Sequence, residues 1–351
     1  MIPILDAHVH QWDPRHTPRE TTLAVKLFGW SPPLMEWVVR RAIPKPLIDF
    51  VAKPDHALHP YLPAQLREDW GRHAGRVEGV VHVQAGWKAK HHVALVEETR
   101  WLESIDPKGE TIQAIVGAAH LEASDLDAVL DAHAAASSRF RGVRDMLAAH
   151  GDPSVVDWAR PGASVRHLSW RRGYARLGQR GLSFDAWMYH HQLDAFRDVA
   201  AEFPETPVVL CHLGSPVAIG GPYAALAGDT EDRERVEKTW RHAFARLCEL
   251  DHVRFKLSGI LMPILGFGAE KRDRPMPRTE LVDRLGPLVR FAVETAGIER
   301  CMFGSNFPMD KVSVDYVTLV EAYDELLQSY DETQRRGFWR DNARAFYRIE
   351  R

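Results

Sequence analysis

The chain has 351 residues, 45% of them hydrophobic and 26% charged, a balance that builds one large core without disulfide support. Its formal net charge of -3, from 45 basic and 48 acidic side chains, supplies no basic field for a phosphate backbone, which excludes nucleic acid as an expected partner. No apolar run reaches the ~20 residues that cross a bilayer, and the 3 cysteines show no paired spacing, so a cytoplasmic protein with buried free thiols and no membrane partner is expected.

Residues 4–8 form the first strand-like run, with His8 and His10 flanking Val9 at its end. Alternate residues of a strand share a face, so the two imidazoles project together. Placed there they can hold one divalent metal, or polarise a carbonyl and orient water without one. Residues 11–79 follow, too long for a simple connection and dense in proline, with helical patterning over 34–51. Leaving the end of the first strand, this insertion is expected to cap the barrel mouth within one domain spanning 1–351.

The next strand-like runs are 80–84, 112–118 and 140–144, separated by amphipathic stretches over 94–104 and 126–137. Gln84 ends the second run and is a candidate substrate contact, while His82 within it reads as a core group. Arg144 ends the fourth, where its planar fork of donors can grip a carboxylate or an oxyanion, with an ion pair to Asp145 as the bland alternative.

Run five, 182–187, carries Asp185 and Trp187, and Trp187 with Tyr189 offers an aromatic wall to a substrate. After an amphipathic stretch over 193–203, run six, 208–212, ends in His212, a candidate ligand or electrophile at the shared mouth. Run seven, 253–258, brings Lys256 and Ser258 to one face, and run eight, 301–305, is followed by Asn306. Helical patterning over 235–250 and 281–296 separates these runs, and 314–328 and 332–347 close the chain. The doublets His91-His92 and His190-His191 fall at helix starts and read as solvent-facing. Loops 215–230 and 261–278, rich in Gly, Ala and Pro, are candidate lids.

Strand and helix alternating eight times predicts an α/β fold, a (β/α)8 TIM barrel with a capping insertion after strand one and extra C-terminal helices. An open doubly wound sheet is the alternative. Catalysis in such a barrel sits at the C-terminal ends of the strands.

Asp6-Ala7-His8-Val9-His10-Gln11-Trp12-Asp13-Pro14, Gly79-Val80-Val81-His82-Val83-Gln84-Ala85, Arg141-Gly142-Val143-Arg144, His212-Leu213-Gly214, Lys256-Leu257-Ser258-Gly259 and Met302-Phe303-Gly304-Ser305-Asn306-Phe307-Pro308 occur in strand order. Together they resemble the amidohydrolase superfamily, in particular its branch of sugar lactonases and 2-pyrone-4,6-dicarboxylate lactonase, over nearly the whole chain. The resemblance implies a hydrolase attacking an activated carbonyl, typically a lactone, with His8, His10 and His212 around the carbonyl and Arg144 holding substrate. It also implies that metal is often dispensable, with zinc held by more distant relatives.

One departure stands out. The family pattern at strand eight is Ser-Asp-Trp-Pro, whose aspartate is the general base, whereas this chain has Ser305-Asn306-Phe307-Pro308. An amide cannot act as that base. Proton abstraction then falls to Asp310, Asp145 or a histidine.

The expectation is therefore a hydrolase of a small carbonyl substrate, a lactone of a sugar acid or of a ring-cleavage product. Its catalytic groups are drawn from His8, His10, His212, Arg144, Asn306 and Asp310, with Gln84, Trp187, Tyr189, Lys256 and Ser258 around the substrate. No cofactor is required on this reading. If a metal is bound it is zinc on His8, His10 and His212. A metal-dependent amidase or decarboxylase on the same barrel, and a degenerate barrel that only binds ligand, are the rival readings. Aromatic residues of the cap, Trp30, Trp37 and Trp70, leave a homo-oligomer open.

Overall fold

The computed structural model describes residues 1–350. Its eight strands are β1 (Ile4–Val9), β2 (Val77–Val83), β3 (Ile112–Ala118), β4 (Phe140–Arg144), β5 (Ser183–Ala186), β6 (Val208–Leu210), β7 (Val253–Leu257) and β8 (Cys301–Phe303). Each pairs in parallel with the next in chain order. Their side chains are buried on both faces, which is why the runs read as nearly continuous apolar sequence.

Closure joins β1 to the chain just beyond β8. Val9 bridges Phe307, the Asn306 amide donates to the His8 carbonyl at 2.8 Å, and the His10 amide donates to the Phe307 carbonyl at 2.8 Å. Asp6 adds a side-chain tie by accepting from the Ser305 amide at 2.9 Å. The fold is the (β/α)8 barrel, and the open sheet is ruled out.

Helices Val96–Ile105, Leu126–Ala136, Leu168–Gln179, Leu193–Glu202, Thr230–Cys248 and Arg278–Ala296 cover the outside. Two more helical segments follow β8, and Trp339 of the last packs on Phe303 at 4.7 Å between ring centroids. The helix Leu168–Gln179 fell outside the periodic stretches singled out in the sequence. Its buried face is Trp170, Tyr174 and Leu177 on a strongly basic background.

The insertion after β1 carries helices Thr22–Phe28, Pro32–Ala42, Lys45–Val51, Pro54–Leu58 and Pro63–Asp69. The single helical stretch expected over 34–51 is split at Ile43, because Pro44 and Pro46 cannot continue an α-helix begun before them. Val25, Met35, Val39 and Leu58 form a small core of its own. Trp70 is buried, not exposed, while Trp30 and Trp37 do face outward.

The two candidate lids are joined to each other. The Ala218 amide donates to the Ile264 carbonyl at 2.9 Å and the Gly220 amide to the Leu265 carbonyl at 2.8 Å. Among the described residues no helix is long and apolar enough to cross a membrane.

Candidate active site

The interior of the barrel below the histidines is a closed polar network. Lys256 of β7 and Asp185 of β5 are fully buried and meet at 2.5 Å. Tyr347, from the last helix, donates to the same carboxylate at 2.9 Å, and the Cys211 thiol lies 3.8 Å from it. Burial pushes that thiol up to about 12, so it stays protonated.

His8 caps this network from above. Lys256 Nζ lies 3.4 Å from its Nδ1 and an Arg144 nitrogen 3.5 Å from its Nε2. A neutral imidazole has one bare nitrogen, so it cannot accept from both. Burial first, then the Lys256 charge and the other imidazoles, hold His8 well below the usual histidine range.

His10 and His212 stand one level higher, on the wall of the mouth. His10 Nδ1 lies 2.7 Å from the Val83 carbonyl, which only accepts, so Nδ1 carries the hydrogen and Nε2 is bare. Burial, followed by the Arg144 charge, keeps this ring neutral as well.

His212 Nδ1 meets the Ser258 hydroxyl at 2.9 Å. The backbone from His212 to Ser215 is left-handed throughout, with φ of 56°, 51°, 73° and 41°, a conformation that costs about 1–2 kcal/mol at each non-glycine residue. Gly259 permits the approach, because a Cβ there would lie 2.3 Å from His212 Nδ1.

Arg144 is buried at the same level without a carboxylate partner among the described residues. One guanidinium nitrogen donates to the Gln84 carbonyl at 2.5 Å, Nε has no partner, and the group sits 5.7 Å from the Trp187 ring. Burial lowers its pKa. Asn306, left-handed at φ 57°, donates through Nδ2 to Asp310 at 2.9 Å and leaves its buried Oδ1 without a partner.

A cavity of about 380 Å³ opens above these groups. His10, Arg144, Trp158, Trp187, His212, Met262 and Asn306 contribute to its wall. The roof comes from the cap: Val39, Ile43, Leu47, Ile48, Phe50 and Leu58.

Other expected contacts are engaged within the protein. The Gln84 side chain accepts from the Gly86 amide at 3.0 Å, so its contribution is the carbonyl that holds Arg144. Tyr189 donates to the Val156 carbonyl at 2.7 Å behind Trp187. Lys256 is neutralised by Asp185, and Ser258 orients His212.

The two carboxylates considered as bases are likewise occupied. Asp145 pairs with Arg160 at 2.7 Å and accepts from Trp170, leaving no ion pair to Arg144. Asp310 is buried behind Asn306, accepts from the Leu261 amide at 3.1 Å, and is pushed by burial to about 7. Within the histidine doublets His91 and His191 face solvent as read, whereas His92 and His190 are turned inward. His92 binds Asp125 at 2.6 Å and stacks on His120, and His190 accepts from the Val217 amide at 3.3 Å.

Sequence reasoning did not find Arg19. It is half-buried in the cap, lines the cavity and stacks on Trp12 at 4.9 Å. Nothing in the local pattern Thr17-Pro18-Arg19-Glu20 separates it from a surface arginine.

Ligand atoms of His8, Asp185 and Cys211 lie within 4.8 Å of one another, a spacing that a metal requires. The surroundings do not fit a divalent cation. The Lys256 ammonium already serves Asp185, and the thiol is held protonated. Above, the neutral His10, His212 and Asn306 Oδ1 would have to hold the ion beside an unpaired Arg144, with no carboxylate to balance the charge.

The amidohydrolase family model matches residues 5–349. Among curated proteins, the chain is 29% identical over 269 residues to the uncharacterized protein y4mH of Sinorhizobium fredii, covering 77% of this chain and 80% of that one. It is 24% identical over 259 residues to an L-fucono-1,5-lactonase of Burkholderia ambifaria, covering 73% and 77%. Among solved structures, an amidohydrolase of Burkholderia multivorans with bound HEPES superposes with a TM-score of 0.71 at 21% identity, covering 99% and 100%. The same protein has been solved with bound zinc.

Proposed function

The chain belongs to the amidohydrolase family and is a hydrolase, and we propose that it opens a lactone by metal-independent attack of water at the barrel mouth. The observation that carries this reading is the juxtaposition of a bare His10 Nε2 with an unpaired, buried Arg144 guanidinium on one cavity wall. The similarity to L-fucono-1,5-lactonases supports the substrate class.

In this mechanism the carbonyl oxygen faces Arg144 and the His212 edge, and water lies against His10 Nε2. The water oxygen bonds to the carbonyl carbon while its proton passes to His10. The charge that develops on the carbonyl oxygen is met by Arg144, aimed there before the reaction begins. Collapse of the tetrahedral intermediate breaks the ring C–O bond, and His10 returns its proton to the departing alkoxide. The product is a hydroxy acid.

Arg144 explains why a ring held neutral can serve as a base. In the free site its charge disfavours a protonated His10. An oxyanion beside Arg144 cancels that charge as the proton moves, and His10 regains basicity when it is needed. Asn306 Oδ1 is free to accept a hydrogen bond from the same water, which keeps the shape of the missing aspartate without its charge.

A panel of lactones, esters and amides followed by pH-stat tests this function. Acid release on a lactone, lost in His10→Asn, is expected. No turnover on any member would leave a ligand-binding barrel. Turnover confined to amides and restored by zinc after chelation would favour the metal-dependent rival.

A further inference from the structure

The lining of the cavity narrows the substrate, an inference that rests on the lactone reading above. A polyhydroxylated lactone needs a donor or acceptor for each hydroxyl it buries, since an unmatched polar group is costly to desolvate. The roof offers Val39, Ile43, Leu47, Ile48, Phe50 and Leu58 instead. Of the carboxylate and amide acceptors on the wall, Glu20 is tied to Lys88 at 2.9 Å and Asn306 belongs to the reacting centre.

One cation on that wall has no assigned work. Among the described residues no side chain bonds to the Arg19 guanidinium, and the carboxylate whose charge acts on it, Glu98, is beyond ion-pair distance and accepts from the Ala85 amide. Burial lowers Arg19 only to about 10, so it remains charged at neutral pH. Its Cζ lies over the Trp12 ring at 4.9 Å and its donors carry no side-chain partner, which leaves them available to a carboxylate.

We propose that the substrate is an apolar-bodied carboxylate: a lactone with an alkyl or aryl substituent under the cap and a carboxylate bound by Arg19. The cap thus supplies both halves of the selection, a greasy roof and one fixed positive charge. Arg144 stays with the reacting carbonyl, and the two arginines read different parts of the same molecule.

The test is a matrix of kcat/KM on δ-lactones with alkyl substituents of increasing length, each ended in a free carboxylate or its carboxamide, beside a polyhydroxylated δ-lactone. Wild type, Arg19→Gln and Arg19→Lys are compared, and their thermal midpoints report folding. Each added methylene is expected to raise kcat/KM up to about fourfold until the cavity is full. The carboxylate should be preferred over the carboxamide by about 10- to 100-fold, a preference that collapses in Arg19→Gln and partly returns in Arg19→Lys.

An unchanged preference in Arg19→Gln, or a polyhydroxylated lactone favoured over the alkyl series, would overturn the inference and leave the lactone hydrolase standing. If no lactone is opened, calorimetric titration with the alkyl lactone carboxylates separates the two ideas. Binding that depends on Arg19 keeps the ligand assignment and removes hydrolysis, and no binding removes both.

Discussion

The floor of the barrel and its mouth are built from the same kinds of residue and differ in pairing. Below the histidines, Lys256 meets Asp185 and Tyr347 completes the carboxylate's contacts. Above them, Arg144 and Arg19 have no carboxylate, Asn306 Oδ1 has no donor and His10 Nε2 is bare. A buried charge is tolerated where the protein pairs it, or where a ligand will. The floor therefore reads as structure and the mouth as a site prepared for an anion.

The largest expected effect lies in the floor. Asp185→Ala strands the Lys256 ammonium and should cost about 3–5 kcal/mol of stability, read from chemical denaturation. Replacing both partners, with Asp185→Leu and Lys256→Met, should recover most of that loss. A stable single variant would show that the floor is not held by this pair.

Next in size is the mouth. Arg144→Gln should lower kcat by roughly 10²- to 10³-fold while leaving the denaturation midpoint unchanged or raised, because it removes an unpaired buried cation. A midpoint that falls with the activity would erase the contrast between the two regions.

A smaller effect separates them by pH. Asp310 titrates at about 7 in the folded protein against an ordinary 3.8, so the folded state holds the proton more tightly. Its contribution to stability is present below about pH 4 and is lost as pH rises through about 7. His8, His10 and His212 act in the opposite sense: their depressed values make the folded state reluctant to protonate, and stability falls as pH drops below 6.5. Midpoints measured in steps of pH should show a shallower alkaline decline in Asp310→Asn.

The smallest expected effect is on the cap's outer surface. Trp30 is 78% exposed, and Trp30→Ser should change stability by no more than about 0.5 kcal/mol in a monomer. A larger loss that depends on protein concentration would identify that surface as an interface between copies.

The barrel was legible because each buried strand writes an apolar run and each covering helix a periodic stripe. The helix Leu168–Gln179 escaped because arginines obscure its stripe, and the cap's long helix was overdrawn across Pro44. At the site, residue type and strand position pointed to His10, His212, Arg144 and Trp187, all of which line the cavity.

Depth was not legible. Period-two alternation gives His8 and His10 the same face but not the level at which a cation from β7 meets one and open cavity meets the other. Partners distant in sequence decided the rest: Asp185 engages Lys256, Arg160 engages Asp145, and Arg19 reaches the pocket from the cap with no local signal.

The proton acceptor is tested most directly by the pH dependence of kcat/KM for lactone opening in metal-stripped wild type and in His10→Asn. Wild type should be flat through neutral pH and fall only well below the ordinary histidine range, where His10 protonates. His10→Asn should be slower by about 10²- to 10⁴-fold and lack that acid limb. A His10→Asn enzyme that keeps its rate and profile, or a stripped wild type that is inactive until zinc returns, would contradict metal-independent base catalysis by His10.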